Sequence, residues 1–292
     1  MINLKNIKTI NVIHHFSYIS NFPSGNIIIP FLNHSIIIYD KNFIPIQVIE
    51  NAHDKLIGYL NIKNENNFVS CSLDTNIKTW IKLNNNFELN KIIIHAHDNL
   101  INQVKYYSDK YLISCSNDNT VKIWEEINSK YQCNVILTHS KHVKECLLIE
   151  DKNILISSGS KETKILNLNN LSLIYEFNDI CNTSSRDNLI RLNEDLIISK
   201  SHDSLIKIFS LSEKRIIKEF NNHSQYSNIC LSQNKKFCLI SEKQDIKIYS
   251  ISNFECLNVL NNAHSKEIIC LYLINGNFIT YGKDKLIKIW SI

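Results

Sequence analysis

Short runs of Ile, Leu, Val and Tyr, separated by Asn, Asp, Ser and Lys, recur along the whole chain, and no stretch sustains the 3.6-residue spacing of an amphipathic helix. Between His97 and Leu137 this alternation predicts four successive strands, in HDNLINQVKYY, KYLISCS, TVKIW and QCNVIL. Each is short, rich in β-branched or aromatic residues, and bounded by residues that favour turns. The same order then repeats. SCSLDTNIKTW ends at Trp80, SCSNDNTVKIW at Trp124 and TYGKDKLIKIW at Trp290. Weaker copies are FLNHSIIIY ending at Tyr39, SSGSKETKIL at Leu166, SKSHDSLIKIF at Phe209 and SEKQDIKIY at Tyr249. The terminal positions lie 41, 44, 42, 43, 40 and 41 residues apart. Seven copies at this period occupy residues 1–292 and predict a single all-β domain with no room for a second.

Polar residues recur at fixed places within the copies. A His precedes the first strand, a Ser or Thr lies in the second, an Asp follows in the turn, and a Trp ends the third. Copy two carries His53, Ser70, Asp74 and Trp80; copy three carries His97, Ser114, Asp118 and Trp124; copy seven carries His264, Thr280, Asp284 and Trp290. In these residues and in its period the chain resembles the WD-repeat family. The resemblance implies a seven-bladed β-propeller of four-stranded antiparallel blades, in which the four residues form a buried hydrogen-bonded chain. The last copy stops just after its third strand, and the opening NLKNIKTI is similar to the fourth-strand segments SLSEKRIIKEF and SISNFECLNVL. Residues 2–11 are therefore expected to complete the blade formed by residues 264–292 and to close the ring, which leaves no unpaired edge.

Some copies depart from the pattern. Copy five keeps Ser199 and Asp203 but ends in Phe209 and has Asn182 near the His position. Copies one, four and six keep His15, His139 and His223 without a full set, so apolar packing is expected to hold them. The Gly that usually precedes the His is replaced by Ala52, Ala96, Thr138, Asn222 and Ala263. With 5 Gly in the chain, tight turns are expected to rely on Asn and Asp.

Composition narrows the function classes. Lys and Arg number 32 against 28 Asp and Glu, with the signs interspersed, so neither a nucleic-acid nor a membrane partner is announced. No apolar run reaches the length of a membrane span, and MINLKNIKTINV lacks a signal-peptide core, so a cytoplasmic protein is expected, with the nucleus as the other compartment. The 9 cysteines are spread evenly, without a CxxC pair, and read as reduced core thiols. His, Ser and Asp together suggest a hydrolase triad, but a constellation repeated three times at one spacing is how structure repeats. No GxSxG elbow, phosphate-binding Gly-rich loop or HExxH motif occurs. His14-His15 and His95-Ala96-His97 lack ligand-spaced Cys or carboxylate partners. No catalytic residue, metal or cofactor is predicted. Lys78, Lys122, Lys207, Lys247 and Lys288 recur at strand period and read as a solvated blade face.

The resemblance also implies where partners bind: on the top face, three and five residues after the His and one before the turn Asp. Those positions are Leu56, Gly58 and Leu73 in copy two, Leu100, Asn102 and Asn117 in copy three, and Glu267, Ile269 and Lys283 in copy seven. Weaker correspondences give Tyr18 and Ser20, His142 and Lys144, Asp187 and His202, and Tyr226 and Asn228. Tyr18, Leu56, Leu73 and Leu100 come from three successive copies and either form an apolar anchor for a peptide or tuck into the core. The expected function is a non-catalytic scaffold that binds peptides or domains of other proteins, as a monomeric propeller within a hetero-complex. The alternatives are a substrate receptor of a ubiquitin ligase and a propeller enzyme. Against the receptor, Ile81, Glu125 and Ser291 do not continue the Trp-Asp-x-Arg box associated with cullin adaptors.

Overall fold

The computed structural model describes residues 2–12, 15–16, 18–159, 162–178, 189–200, 205–221 and 228–291. These form seven four-stranded antiparallel sheets, and the only helical element among the described residues is a single turn at Glu150–Lys152. The fold is the all-β, seven-bladed propeller class that the repeat predicts. Within each of the first six blades the strands pair in chain order, so local chain builds each sheet. Among the described residues no helix is long and apolar enough to cross a membrane.

The chain divides into two compact units. Tyr18–Asp179 holds blades 1 to 4. Blade 1 consists of Ser20–Asn21, Ile27–Pro30, Ile36–Tyr39 and Pro45–Ile49. Blade 2 consists of Ile57–Asn64, Asn67–Ser72, Ile77–Leu83 and Asn86–Ile93. Blade 3 consists of Ile101–Tyr106, Tyr111–Ser116, Thr120–Ile127 and Lys130–Thr138. Blade 4 consists of Val143–Ile149, Ile154–Gly159, Glu162–Asn167 and Leu173–Asn178.

The other unit joins Met1–Ser17 to Ile180–Ile292. Its blade 5 consists of Leu189–Arg191, Leu196–Lys200, Leu205–Ser210 and Arg215–Asn221. Blade 6 consists of Ile229–Leu231, Phe237–Glu242, Asp245–Ser250 and Cys256–Leu260. Blade 7 takes Ile268–Ile274, Asn277–Gly282 and Leu286–Ser291 from the end of the chain and Lys5–Asn11 from its beginning. In that last pairing Lys5 faces Ser291, Asn6 faces Trp290 and Asn11 faces Leu286.

Burial follows the position of a strand in its blade. Second strands such as Tyr111–Ser116 are buried at nearly every residue, because both faces of the sheet are covered there. The fourth strand Arg215–Asn221 alternates exposed and half-buried residues. The core lies between neighbouring blades. Ile113, Cys115 and Val121 of blade 3 pack with Val143, Cys146 and Leu155 of blade 4. Ile198, Ile206 and Ile208 of blade 5 meet Ile229, Cys238 and Ile240 of blade 6, which in turn packs Leu239 and Ile248 with Ile268 and Phe278 of blade 7. At Gly58 the approach of blade 3 is so close that a Cβ would stand 2.5 Å from the Ile101 carbonyl oxygen.

Cys71, Cys115, Cys146, Cys230, Cys238 and Cys270 are buried thiols inside this packing, outside any disulfide, and burial pushes the Cys238 pKa up to about 12. Cys133 and Cys256 are instead exposed, both on fourth strands, and Cys181 lies outside the described residues. Positive φ falls on Asn more often than on any other described residue type, as at Asn51, Asn85, Asn119 and Asn275, but on no described Asp. Asp takes the first turn position instead: Asp40 Oδ1 accepts the N–H groups of Asn42 and Ile44, while Phe43 takes φ of 66°.

Candidate functional site

The loop entering each complete blade carries a His that the sheet behind it encloses. In blade 2 His53 is 1% exposed. Its Nδ1 lies 2.8 Å from Asp74 Oδ2 and its Nε2 lies 2.7 Å from Ser70 Oγ, which also accepts the Trp80 indole N–H at 2.9 Å. A carboxylate only accepts, so His53 donates from Nδ1. Its Nε2 therefore accepts the Ser70 hydroxyl, and the hydroxyl accepts from Trp80. Every polar atom of the chain is satisfied in one direction, which fixes a single packing.

Blade 3 repeats the arrangement with His97 Nδ1 to Asp118 Oδ2 at 2.7 Å, Nε2 to Ser114 Oγ at 2.7 Å and Trp124 Nε1 to Ser114 Oγ at 2.8 Å. In the other unit, His264 lies 2.9 Å from Asp284 Oδ1 and 2.7 Å from Thr280 Oγ1, which accepts the Trp290 N–H at 2.8 Å. Burial lowers the pKa of all three histidines, against the pull of their Asp partners. The His53 hydrogen bond and charge hold Asp74 at about 2 despite its burial.

Two components of this framework escaped the sequence reading. The recurrent lysines are not a free solvated face. Lys78, Lys122 and Lys164 each donate at 2.8 Å to the carbonyl of Ala52, Ala96 or Thr138, the residue just before the His, and Lys288 donates to Ala263 at 2.6 Å. The separation is 26 residues in three blades and 25 in blade 7, a fixed spacing that could have revealed the strap. Lys207 is itself 6% exposed, and Lys247 pairs with Glu242.

The second component is Glu162. In blade 4 His139 Nε2 lies 2.8 Å from Ser157 Oγ, and Glu162 Oε1 takes the place of the missing turn Asp, accepting the Ser140 N–H at 2.6 Å. The longer side chain brings that oxygen only to 3.2 Å from His139 Nδ1, in a geometry that makes no hydrogen bond. Burial, with the Lys164 charge adding to it, lowers His139 to about 4. Leu166 replaces the indole, so Ser157 has no Trp donor to accept from.

The remaining copies differ. His15 Nδ1 lies 2.6 Å from the Tyr281 hydroxyl and so joins blade 7, where Phe16 stacks on the same ring at 4.1 Å. Ser199 and Phe209 are buried in blade 5. His14, Asn182, Asp187, His202, Asp203, Asn222, His223 and Tyr226 lie outside the described residues. His95 Nδ1 is 3.3 Å from Thr75 Oγ1, while His97 is held in its own chain. Among the described residues no group of three or more His, Cys, Asp or Glu could hold a metal ion.

The expected partner-binding positions fall at the strand ends beside the His loops. Cross-strand backbone bonds join Leu73 to Leu56, Asn117 to Leu100 and Lys283 to Glu267. Leu56, Leu73 and Leu100 are half-buried, and His142 is exposed. Tyr18 departs from a surface role: it is 6% exposed and packs against Tyr59 at 4.5 Å. Asn102 is also buried, because its amide donates to Val143 O at 2.6 Å and to Asn117 Oδ1 at 2.9 Å, tying blade 3 to blade 4. Asn117 Oδ1 accepts Lys144 Nζ at 2.8 Å as well, and Asn117 O accepts His142 Nδ1 at 2.6 Å. Asn102, Asn117, His142 and Lys144 thus form one polar cluster next to the three leucines. In blade 7 Lys283 pairs with Glu267 at 2.7 Å, and the half-buried Ile269 gives its carbonyl to Asn228.

A family pattern described as WD domain, G-beta repeat, matches residues 89–125 and 254–291. The first span contains the His97–Trp124 chain and the second the His264–Trp290 chain.

Proposed function

The chain belongs to the WD-repeat family, and from that premise we propose that it is a non-catalytic scaffold that holds a peptide or loop of a partner protein. The binding edge is formed by blades 2, 3 and 4. Leu56, Leu73 and Leu100 supply half-buried apolar contact, and Asn117, His142 and Lys144 supply an adjoining polar border. Apolar anchors beside a satisfied polar rim are what a compact recognition surface needs.

The observation that carries the reading is how the reactive-looking groups are used. Ser70, Ser114 and Thr280 are no more than 1% exposed, and each hydroxyl is engaged by both an indole and an imidazole. A nucleophile needs access and a base free to take its proton. These hydroxyls have an imidazole acceptor but no access to a substrate, so their chemistry goes into packing, and the surface left for function is the strand-end edge. The test is affinity purification of the full chain and of a Leu56→Asp/Leu100→Asp variant, with recovered proteins identified by mass spectrometry. The variant, folded by circular dichroism, is expected to lose partners that the parent retains. Unchanged recovery would end the reading.

A further inference from the structure

Blades 5 and 6 border a pocket of about 790 Å³ at the ends of their first strands remote from the loops that enter those strands. Three turns form its rim. Residues 192–195 and 232–236 join first strands to second strands, and residues 251–255 join the third strand of blade 6 to its fourth. The floor is apolar: Phe237 and Ile251 are buried, Leu196 and Ile2 are half-buried, and Leu257 is 42% exposed at the side. Ile2 is held there because its carbonyl accepts the Asn258 amide at 2.8 Å. The floor is continuous with two clusters of the core, so its shape is set before anything binds.

The rim consists of unspent donors. Asn193 Oδ1 accepts the N–H groups of Asp195 and Leu196 at 2.9 and 2.8 Å. Asn234 Oδ1 accepts the Lys236 N–H at 3.0 Å and the Ser232 hydroxyl at 2.8 Å. Each oxygen is used within its own turn, whereas neither side-chain NH2 has a partner among the described residues. The ammonium groups of Lys235 and Lys236, both exposed, likewise have none there. No Asp or Glu lines the pocket among the described residues. The acids of the bordering turns are engaged elsewhere or stand outside the wall. Asp195 accepts from the Ser210 hydroxyl and the Ser212 N–H, Glu255 accepts from the Asn253 amide, and Glu194 is exposed. Lys218 adds further positive charge at the third turn, where it donates to Asn253 O at 2.8 Å.

An apolar floor open to water favours an apolar occupant, and a cationic rim without acids favours one that also carries a carboxylate and rejects a basic one. The Asn donors lie on turns of two different blades, and an extended backbone offers carbonyl acceptors spaced along its length to meet them. We propose that the pocket docks an extended segment of a partner protein in which an apolar residue neighbours an acidic one. The apolar side chain packs on Phe237 and Ile251, the carboxylate meets Lys235 and Lys236, and Asn193 and Asn234 donate to the segment's carbonyls. This second site lies on other blades than the Leu56–Leu100 edge and has a different chemistry.

Random octapeptides displayed on phage are selected on the full chain, and the enriched peptides are synthesised with a fluorescent label and measured by anisotropy. The expected class pairs Leu, Ile, Val or Phe with a neighbouring Asp or Glu. Its affinity falls about tenfold on Lys235→Gln/Lys236→Gln, falls similarly when the acid of the peptide is replaced by its amide, and is unchanged by Leu56→Asp. Both lysines are exposed, so the double variant is expected to keep the fold of the parent by circular dichroism. Selection on Lys235→Glu/Lys236→Glu should instead enrich peptides with Lys or Arg in place of the acid. Absence of an acidic class, acidic peptides indifferent to both lysines, or their loss on Leu56→Asp would overturn the proposal. Dodecanoate that binds with the same lysine dependence where no such peptide does would also overturn it, by making the occupant a small amphipathic anion.

Discussion

Acid should loosen blade 4 through one imidazole. His139 has a side chain with no solvent exposure and an Nδ1 without a hydrogen bond. Protonation would place a cation there with Lys164 already nearby, and the only compensation is Glu162 Oε1 at 3.2 Å. Burial outweighs that compensation, and the folded pKa lies at about 4 against 6.5 for the unfolded group. As pH falls, the unfolded chain therefore takes up the proton first. The contribution of His139 to stability is complete above about pH 6.5 and is lost progressively as pH falls toward 4. A gap of this size corresponds to about 3 kcal/mol. His53, His97 and His264 are lowered in the same direction, so the measurement has to be a difference. The variant is His139→Gln, which can still hydrogen-bond Ser157 but does not titrate. Urea unfolding at half-unit intervals from pH 7 to 4.5 should show a pH dependence shallower than that of the parent by up to about 1.4 kcal/mol per pH unit. Amide exchange in Val143–Ile149 and Ile154–Gly159 should accelerate on acidification in the parent and less so in the variant. An imidazole that titrates at or above 6.5 by NMR, or two parallel stability curves, would refute the reasoning.

Two further substitutions test the packing. Gly58→Ala puts a methyl group 2.5 Å from the backbone oxygen of Ile101, where no flexible side chain can move aside, and should cost about 1–3 kcal/mol. A thermal midpoint within a degree of the parent would mean that blades 2 and 3 are not in that contact. Trp124→Phe removes the donor 2.8 Å from Ser114 Oγ and shrinks a side chain that is 5% exposed. The lost hydrogen bond and the smaller ring together should cost about 2–3 kcal/mol in urea unfolding, and a change below about 0.5 kcal/mol would show that the indole N–H contributes little.

The sequence made the blade count and the strand order legible because both are written into an alternation that recurs at nearly constant spacing. The pairing of Lys5–Asn11 with Leu286–Ser291 was legible for a different reason: three strands at one end of the chain had to find a fourth. What stayed hidden depends on reach and direction, not on residue type. A Lys on a polar register looks the same whether Nζ meets water or, as at Lys122, the carbonyl of Ala96. Glu162 was missed because it stands five residues after Ser157, whereas the complete copies carry an Asp four residues after the Ser or Thr, so no motif aligned on Asp finds it. Tyr18 sits where the family pattern suggests a contact surface, but its ring reaches Tyr59. His15 illustrates the same limit, since its position suggested blade 1 while its hydrogen bond belongs to Tyr281 of blade 7.

The uneven distribution of complete polar chains bears on how the fold tolerates its own variation. Blades 2, 3 and 7 each hold a buried imidazole by hydrogen bonds at both ring nitrogens, whereas blade 4 holds His139 at one and blade 5 has Phe209 in place of the Trp. A satisfied network stabilises modestly but becomes costly once one member is lost, because its neighbours are left buried and unpaired. An apolar substitute such as Phe209 avoids that risk and gives up the directional constraint. The incomplete blades are thus the ones that can accept further change in these positions at low cost, while the complete ones cannot. The proposed Leu56–Leu100 edge adjoins the strands of blades 2 and 3, where the frame is most tightly specified. Recognition by preformed contacts benefits from that placement, since side chains mounted on strands that do not shift lose less freedom on binding.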